Sequence, residues 1–258
     1  MWPRAIVLLG TGKVGSALAR QLVAQGLPLQ WLWNRSEPAV QALADDLQLN
    51  WTTDLSELPA EADLYILAVR DDALPPLAAA LARQLDKGAL VVHTSGATPS
   101  AVLGAHFPHF GVFYPLQTFS PGREPDFHQV PLCVHAANDT DLVCLEQLAQ
   151  RLSERVAVVD DRQRAILHVA AVFTNNFTNY LQHISQAILT DAGLATDLLQ
   201  PLLQETIAKL DVLSPEQAQT GPAIRGDQAT IERHLAWLAQ YPEWREIYRL
   251  LSEGIERM

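Results

Sequence analysis

Six residues near the start of the chain, Gly10-Thr11-Gly12-Lys13-Val14-Gly15, restrict the fold more than any other stretch. They stand between a short apolar run, residues 5–9, and a stretch where Val14, Leu18 and Leu22 recur at helical spacing until Gly26 stops it. A run that is apolar throughout suits a strand covered on both faces by helices. In a strand–turn–helix of this kind Gly10 permits the tight turn, Gly12 lets the backbone approach a pyrophosphate, and Gly15 lets helix and strand pack closely. The helix N-terminus then offers unpaired N–H groups and the positive end of its dipole to the anion. The expected ligand is a dinucleotide.

The same alternation continues along the chain. Strands are expected at residues 29–33, 63–69 and 89–93, with helices over 38–47 and 74–85 between them. Shorter strands follow at 111–114, 132–135 and 156–159, with an amphipathic helix over 142–152. Pro121, Gly122 and Pro125 mark residues 119–130 as a surface loop. This order argues for βαβ units in a doubly wound, mostly parallel sheet, an α/β fold. From Asp160 onward the pattern is helical only. Asp160 and Asp161 can cap a long helix with apolar Ile166, Val169, Phe173, Phe177, Leu181, Ile184 and Ile188, ended by Gly193. Thr196, Ser214 and Asp227 are expected to cap later helices, and a last one begins after Pro242. The expected division is an α/β dinucleotide-binding domain over 1–160 and an all-α substrate and dimerisation domain over 161–258.

Composition removes several function classes. In 258 residues, 18 Lys and Arg stand against 29 Asp and Glu, a net charge of −11, which argues against a grip on nucleic-acid phosphates. Cys133 and Cys144 alone make neither a disulfide framework nor a metal site. No apolar run reaches the ~20 residues that span a bilayer, and residues 5–9 lack a following cleavage motif. A soluble cytoplasmic protein is expected, with no membrane partner. Phe173, Phe177, Leu181, Leu198, Leu202, Trp237 and Trp244 give the helical half more apolar surface than one small layer hides, so a homodimer is expected.

The end of the second strand decides which nicotinamide cofactor fits. An acidic residue about 20 positions past the glycines would accept hydrogen bonds from the ribose 2′-hydroxyl of NAD. Asn34-Arg35-Ser36 stands there instead. Arg35 supplies a forked cation for a 2′-phosphate, and Asn34 and Ser36 supply neutral hydrogen bonds, so NADP is expected. Two further strand ends, Val69-Arg70-Asp71 and His93-Thr94-Ser95-Gly96-Ala97, point to the same crevice. Val69, Thr94 and Ser95 are cofactor-contact candidates, although such residues equally suit a turn closing a βα unit.

These motifs, together with Pro115-Leu116-Gln117-Thr118-Phe119, resemble one family. It comprises bacterial Rossmann-like proteins with a C-terminal domain of unknown function (DUF2520-type). Their relatives are pyrroline-5-carboxylate and ketopantoate reductases and the 6-phosphogluconate and β-hydroxyacid dehydrogenases. In the helical half, His168-Val169-Ala170-Ala171-Val172-Phe173 with Asn176, and the stretch from Thr220 to Asp227, resemble that family's hallmark segments. The resemblance implies an NADP-binding domain, a dimerising helical domain and oxidoreductase activity; it implies no substrate. Members carry His before the Pro-Leu-Gln segment, where this chain has Tyr114. A phenol has a much higher pKa, so position 114 stays outside the expected catalytic set.

His168, Asn175, Asn176, Asn179 and His183 form a polar stripe on the long helix, and the resemblance selects His168 and Asn176 among them. Hydride delivery to a carbonyl or imine leaves charge on oxygen or nitrogen, which needs a proton source and aimed donors. His168 is the expected acid, Asn176 a neutral donor, and Arg225 a clamp for a substrate carboxylate. Of the three lysines, Lys13 lies in the phosphate loop, Lys87 precedes a strand, and Lys209 sits late in a helix with no polar company. The leading expectation is an NADP-dependent reductase or dehydrogenase for a small keto acid, hydroxy acid or cyclic imine, bound between the two domains. The alternative is an NADPH-binding scaffold or sensor without turnover. A deazaflavin-using reductase shares the same cradle, and no residue selects it.

Overall fold

The computed structural model describes residues 3–120, 122–123 and 125–258, so Pro121 of the expected loop lies outside it. The chain divides into two compact units, residues 1–175 and 176–258.

In the first unit the strands are β1 (Ile6–Leu9), β2 (Leu29–Trp33), β3 (Asn50–Thr52), β4 (Leu64–Leu67), β5 (Leu90–His93), β6 (Phe110–Pro115), β7 (Leu132–Ala136) and β8 (Val156–Val158). The helices are α1 (Lys13–Ala24), α2 (Glu37–Leu47), α3 (Leu74–Leu81), α4 (Ala101–Gly104), α5 (Asp139–Leu152) and α6 (Asp161–Ala171). Among the described residues the strands form one eight-stranded sheet in the order β3-β2-β1-β4-β5-β6-β7-β8. Neighbours are parallel except β6 and β7, which pair antiparallel. This is the expected doubly wound architecture.

The continuous apolar runs have a direct cause in this layering. Ile6 and Leu8 face one core cluster with Leu18, Leu22 and Val40, while Val7 and Leu9 face another with Leu74, Leu77 and Leu81. Every residue of β1 is therefore buried, and no alternation can appear in its sequence. The strand β3 escapes a sequence reading because it is a three-residue edge strand, with Asn50 exposed and only Thr52 buried.

Helix α6 starts on a capping box. Asp160 accepts from Gln163 N at 2.7 Å, and Gln163 Oε1 accepts from Asp160 N at 2.9 Å. The long helix expected after it is divided by a π-helical turn, Val172–Phe177, before α7 (Thr178–Asp191).

The second unit carries α7, α8 (Gln200–Lys209), α9 (Pro215–Ala218), α10 (Gln228–Trp237) and α11 (Pro242–Glu256). Ser214 and Asp227 cap α9 and α10 as expected. Thr196 does not cap: it is the first residue of a short 3-10 turn with Ala195 in the cap position, so its hydroxyl stands one residue too late. Lys209 is not alone either, since it pairs with Glu205 at 3.6 Å one helical turn earlier. Of the apolar positions expected along the long helix, Ile184 is buried, whereas Ile166, Val169 and Leu181 are exposed, as are Leu198 and Leu202 on the next elements. No helix among the described residues is long and apolar enough to cross a membrane.

Candidate functional site

The glycine loop joins β1 to α1 at the carboxyl edge of the sheet, where open α/β sheets bind ligands. Gly10 adopts φ +103°, and a Cβ there would stand 2.3 Å from the Ala68 carbonyl oxygen. A Cβ on Gly15 would stand 1.9 Å from the Gly10 carbonyl oxygen. Both glycines are therefore demanded by the packing of β1, β4 and α1. Gly12 differs: nothing lies within 4 Å of the place its Cβ would take. Gly12 occupies the N-cap of α1, and among the described residues no side chain caps that helix, so its leading N–H groups have no side-chain acceptor. Thr11 Oγ1 is buried beside them with no hydrogen-bond partner among the described residues.

Two cavities flank this turn, and Thr11 and Gly12 line both. One, of about 700 Å³, is lined by Gly10, Asn34, Arg35, Val69 and Arg70, with apolar walls from Leu55, Pro76 and Leu77. Arg35 is exposed, and among the described residues it has no ion-pair partner. Arg70 is a pocket residue that sequence reasoning named at a strand end but left out of the site. It holds Asp72 through two hydrogen bonds of 3.1 Å, and both groups remain largely exposed. The other cavity, about 720 Å³, runs along α1 past Lys13, Ser16 and Arg20 to Phe119 and Phe127. Lys13 therefore lines a different cavity from Arg35. Val14 packs against the core, and Ser36 is the backbone N-cap of α2 without a side-chain cap bond.

Two strands from β1, the end of β5 builds a second cluster. His93 is fully buried, and its Nδ1 accepts from Ser95 N at 3.1 Å. Burial, followed by the charge of Arg164, pushes the His93 pKa down to about 4, so the ring is neutral. Thr94 is buried with its N–H bonded to Leu67 O. Ser95 Oγ accepts from Ala97 N and Thr98 N at 3.1 and 2.9 Å, which commits it to shaping the loop. The buried Arg164 of α6 grips that loop by donating to Thr98 O at 2.5 Å, and it pairs with Asp161 at 2.8 Å. Asp161 in turn accepts from Ser100 N and Oγ, both at 2.9 Å. These hydrogen bonds and the Arg164 charge hold the Asp161 carboxyl below its ordinary pKa against the opposing effect of burial.

The loop so fixed carries Gly96 against two rings. Tyr114, next to last in β6, places its hydroxyl 3.3 Å from His168 Nδ1 on α6. A Cβ on Gly96 would stand 2.6 Å from His168 Nδ1 and 2.9 Å from the Tyr114 oxygen. Tyr114, which its chemistry had kept out of the expected set, is thus in contact with the expected acid. Its signals in the sequence were its place at a strand's carboxyl end and the His that the resembled family carries at that position. Asn176 and Asn175 lie exposed in the π-helical turn, a feature often found at functional sites. Arg225 is exposed in the turn that precedes α10, five residues after Thr220. Among the described residues no group of three or more His, Cys, Asp or Glu is placed to hold a metal ion.

Residues 5–96 match the family described as "NADP oxidoreductase coenzyme F420-dependent", and residues 130–255 match the domain of unknown function DUF2520. No curated protein matches the chain. Among solved structures, BF3122 from Bacteroides fragilis, described as a candidate NADP oxidoreductase, is 40% identical over 99% of this chain and 98% of its own, with a TM-score of 0.93. TM1727 from Thermotoga maritima is 22% identical over 97% of this chain and 99% of its own, with a TM-score of 0.80. An imine reductase from Myxococcus stipitatus, solved with NADP+, is 19% identical over 98% and 92%, with a TM-score of 0.64; at that identity the likeness is one of fold. The chain belongs to the family of BF3122; its own Rossmann domain matches the NADP oxidoreductases, with NADP as the cofactor that description names, and is followed by a DUF2520 domain.

Proposed function

We propose that the protein binds NADP(H) across Gly10–Gly15 and catalyses hydride transfer to or from a small keto acid, hydroxy acid or cyclic imine. One observation carries the reading. The amino end of α1 is uncapped and clear of side chains, and the pocket beside it holds the uncommitted Arg35 guanidinium. The orphaned Thr11 hydroxyl fits the same ligand as a further hydrogen-bonding group for phosphate. Asn34 and Arg35 suit the 2′-phosphate, the apolar walls of Leu55, Pro76 and Leu77 suit the adenine, and Val69 lines the same pocket; in this reading Thr94 and Ser95, at the neighbouring strand end, face the nicotinamide half.

Bound NADP(H) supplies or accepts the hydride. The chain's own part is to orient the substrate and move a proton. His168 is the acid for the atom that gains charge, Asn176 a neutral donor toward the substrate carbonyl, and Arg225 a clamp for its carboxylate. In this reading residues 1–160 form the cofactor domain and 161–258 the substrate and dimerisation domain. Exposed Leu198, Leu202 and Trp237 support a homodimer, which sedimentation at micromolar concentration tests. The two free, buried thiols of Cys133 and Cys144 suit a reducing compartment such as the cytoplasm.

The test is a fluorescence titration with NADPH and NADH, then NADPH oxidation against 2-keto acids, cyclic imines and a deazaflavin. Tighter NADPH binding with turnover supports the proposal. Binding without turnover across the panel favours the sensor alternative, and no binding of either nucleotide ends both readings.

A further inference from the structure

The contact between Tyr114 and His168 bears on which imidazole nitrogen carries the hydrogen, and so refines the role proposed for His168, on which this inference rests. The hydroxyl lies 3.3 Å from Nδ1, and the rings meet edge to face, with centroids 6.3 Å apart and planes at 64°. Either partner could in principle donate, so the direction must be argued.

Burial pushes the Tyr114 pKa above its ordinary range, and the hydroxyl keeps its hydrogen throughout the neutral range. That hydrogen needs an acceptor, and among the described residues the hydroxyl has no hydrogen-bond partner besides His168. A neutral imidazole has one N–H and one lone-pair nitrogen, so accepting at Nδ1 places its hydrogen on Nε2. Gly96 holds the arrangement together. Its backbone closes the space beside the two rings, and a methyl there would stand 2.6 Å from Nδ1 and 2.7 Å from the Tyr114 Cζ. Arg164, gripping Thr98 in the same loop, keeps that backbone in place.

We propose that Tyr114 is a positioning residue that fixes neutral His168 as the Nε2–H tautomer, so that Nε2–H is presented as a hydrogen-bond donor to the substrate atom on which charge develops. The role belongs to the phenol oxygen and not to the ring, so phenylalanine keeps the packing and loses the function. The proposal also separates the two histidines near the β5 end. His93 is held by Ser95 N at Nδ1 but is fully buried, so it has no route to a substrate, whereas His168 is partly exposed.

The experiment uses the full chain with 15N-labelled histidine and long-range proton–nitrogen correlation spectra, recorded above the imidazole titration. Disappearance of one ring's signals in His168→Gln assigns them. In the wild type the His168 Nδ1 is expected to resonate as a bare nitrogen and Nε2 as an N–H. In Tyr114→Phe both signals are expected to shift toward the average of a tautomer mixture. An Nδ1–H tautomer in the wild type, or unchanged His168 nitrogen shifts in Tyr114→Phe, overturns the proposal. Should Tyr114→Phe fail to fold, the wild-type tautomer decides alone. A parallel NADPH titration of the wild type keeps the broader reading separate: its failure would remove the oxidoreductase proposal, while the spectra would still judge the hydrogen bond.

Discussion

Two alanine substitutions three residues apart, Gly12→Ala and Gly15→Ala, distinguish a glycine required by the fold from one proposed to serve the ligand. At Gly15 the new Cβ would lie 1.9 Å from the Gly10 carbonyl oxygen, a backbone atom that no rotamer change can move aside. Ordinary contact begins at 3.4 Å, so α1 must retreat from β1 by about 1.5 Å, the difference between the two distances. Overpacking of this kind costs roughly 1–3 kcal/mol. At about 2–4 °C per kcal/mol for a chain near this size, Tm falls by roughly 2–12 °C. Gly12 has extended backbone, φ −71° and ψ −171°, and empty space where its Cβ would sit. Alanine is a poorer N-cap than glycine but loses less chain entropy on folding, and these effects nearly cancel, leaving stability within about 0.5 kcal/mol. The methyl would nevertheless occupy the approach of the pyrophosphate. Losing one charge-assisted N–H bond to phosphate costs roughly 1.5–3 kcal/mol, about a 10- to 150-fold weaker Kd. Calorimetric unfolding and NADPH fluorescence titration read the two effects separately. Gly12→Ala binding NADPH as the wild type does would refute the pyrophosphate cradle, and Gly12→Ala melting as early as Gly15→Ala would refute the steric distinction.

Other substitutions probe the remaining parts. Arg35→Ala is expected to weaken NADPH binding about tenfold, the low end for a charge-assisted contact because the residue is exposed, and to leave NADH binding unchanged. His93 contributes a pH dependence of known sign. Its folded pKa of about 4 lies below the ordinary imidazole value of 6.5, so the unfolded chain binds the extra proton between those values. Stability is therefore full above pH ~6.5 and declines as pH falls toward ~4, by about 3 kcal/mol in all. Urea unfolding across that range should show a shallower decline in His93→Asn; equal slopes would remove His93 as the cause. Arg164→Ala strips the partner from Asp161 and the grip on Thr98. With Asp161 one-third exposed, the cost is expected near the lower end of the buried-pair range, about 3 kcal/mol by urea unfolding. A loss below 1 kcal/mol would show that the loop does not depend on it.

Much of the fold was legible because local chemistry and packing agree along the first half of the chain. The runs around Ile6, Ile66 and Val92 are wholly apolar because the sheet is covered on both faces, and the capping residues Asp160, Ser214 and Asp227 act within one turn of their own position. The phosphate loop is of the same kind. Its glycine spacing shows as a local pattern, although Gly10 answers to the distant Ala68 carbonyl as well, and Arg35 stands two residues past the strand that positions it.

Residues whose roles depend on distant partners could not be read this way. Tyr114, Gly96 and His168 come from a strand, a loop and a helix more than seventy positions apart at their extremes, and only folding sets the phenol against the imidazole. Arg164 looks like any charged residue on a helix until the structure buries it against Thr98 and Asp161. Sequence alone determined the layered sheet and the glycine turn between β1 and α1, because hydrophobic runs, glycines and caps show over a few residues. Tertiary structure decided which side chains meet at the ends of β5 and β6, because hydrogen bonds between elements follow from strand order and helix placement and leave no periodic trace in the chain.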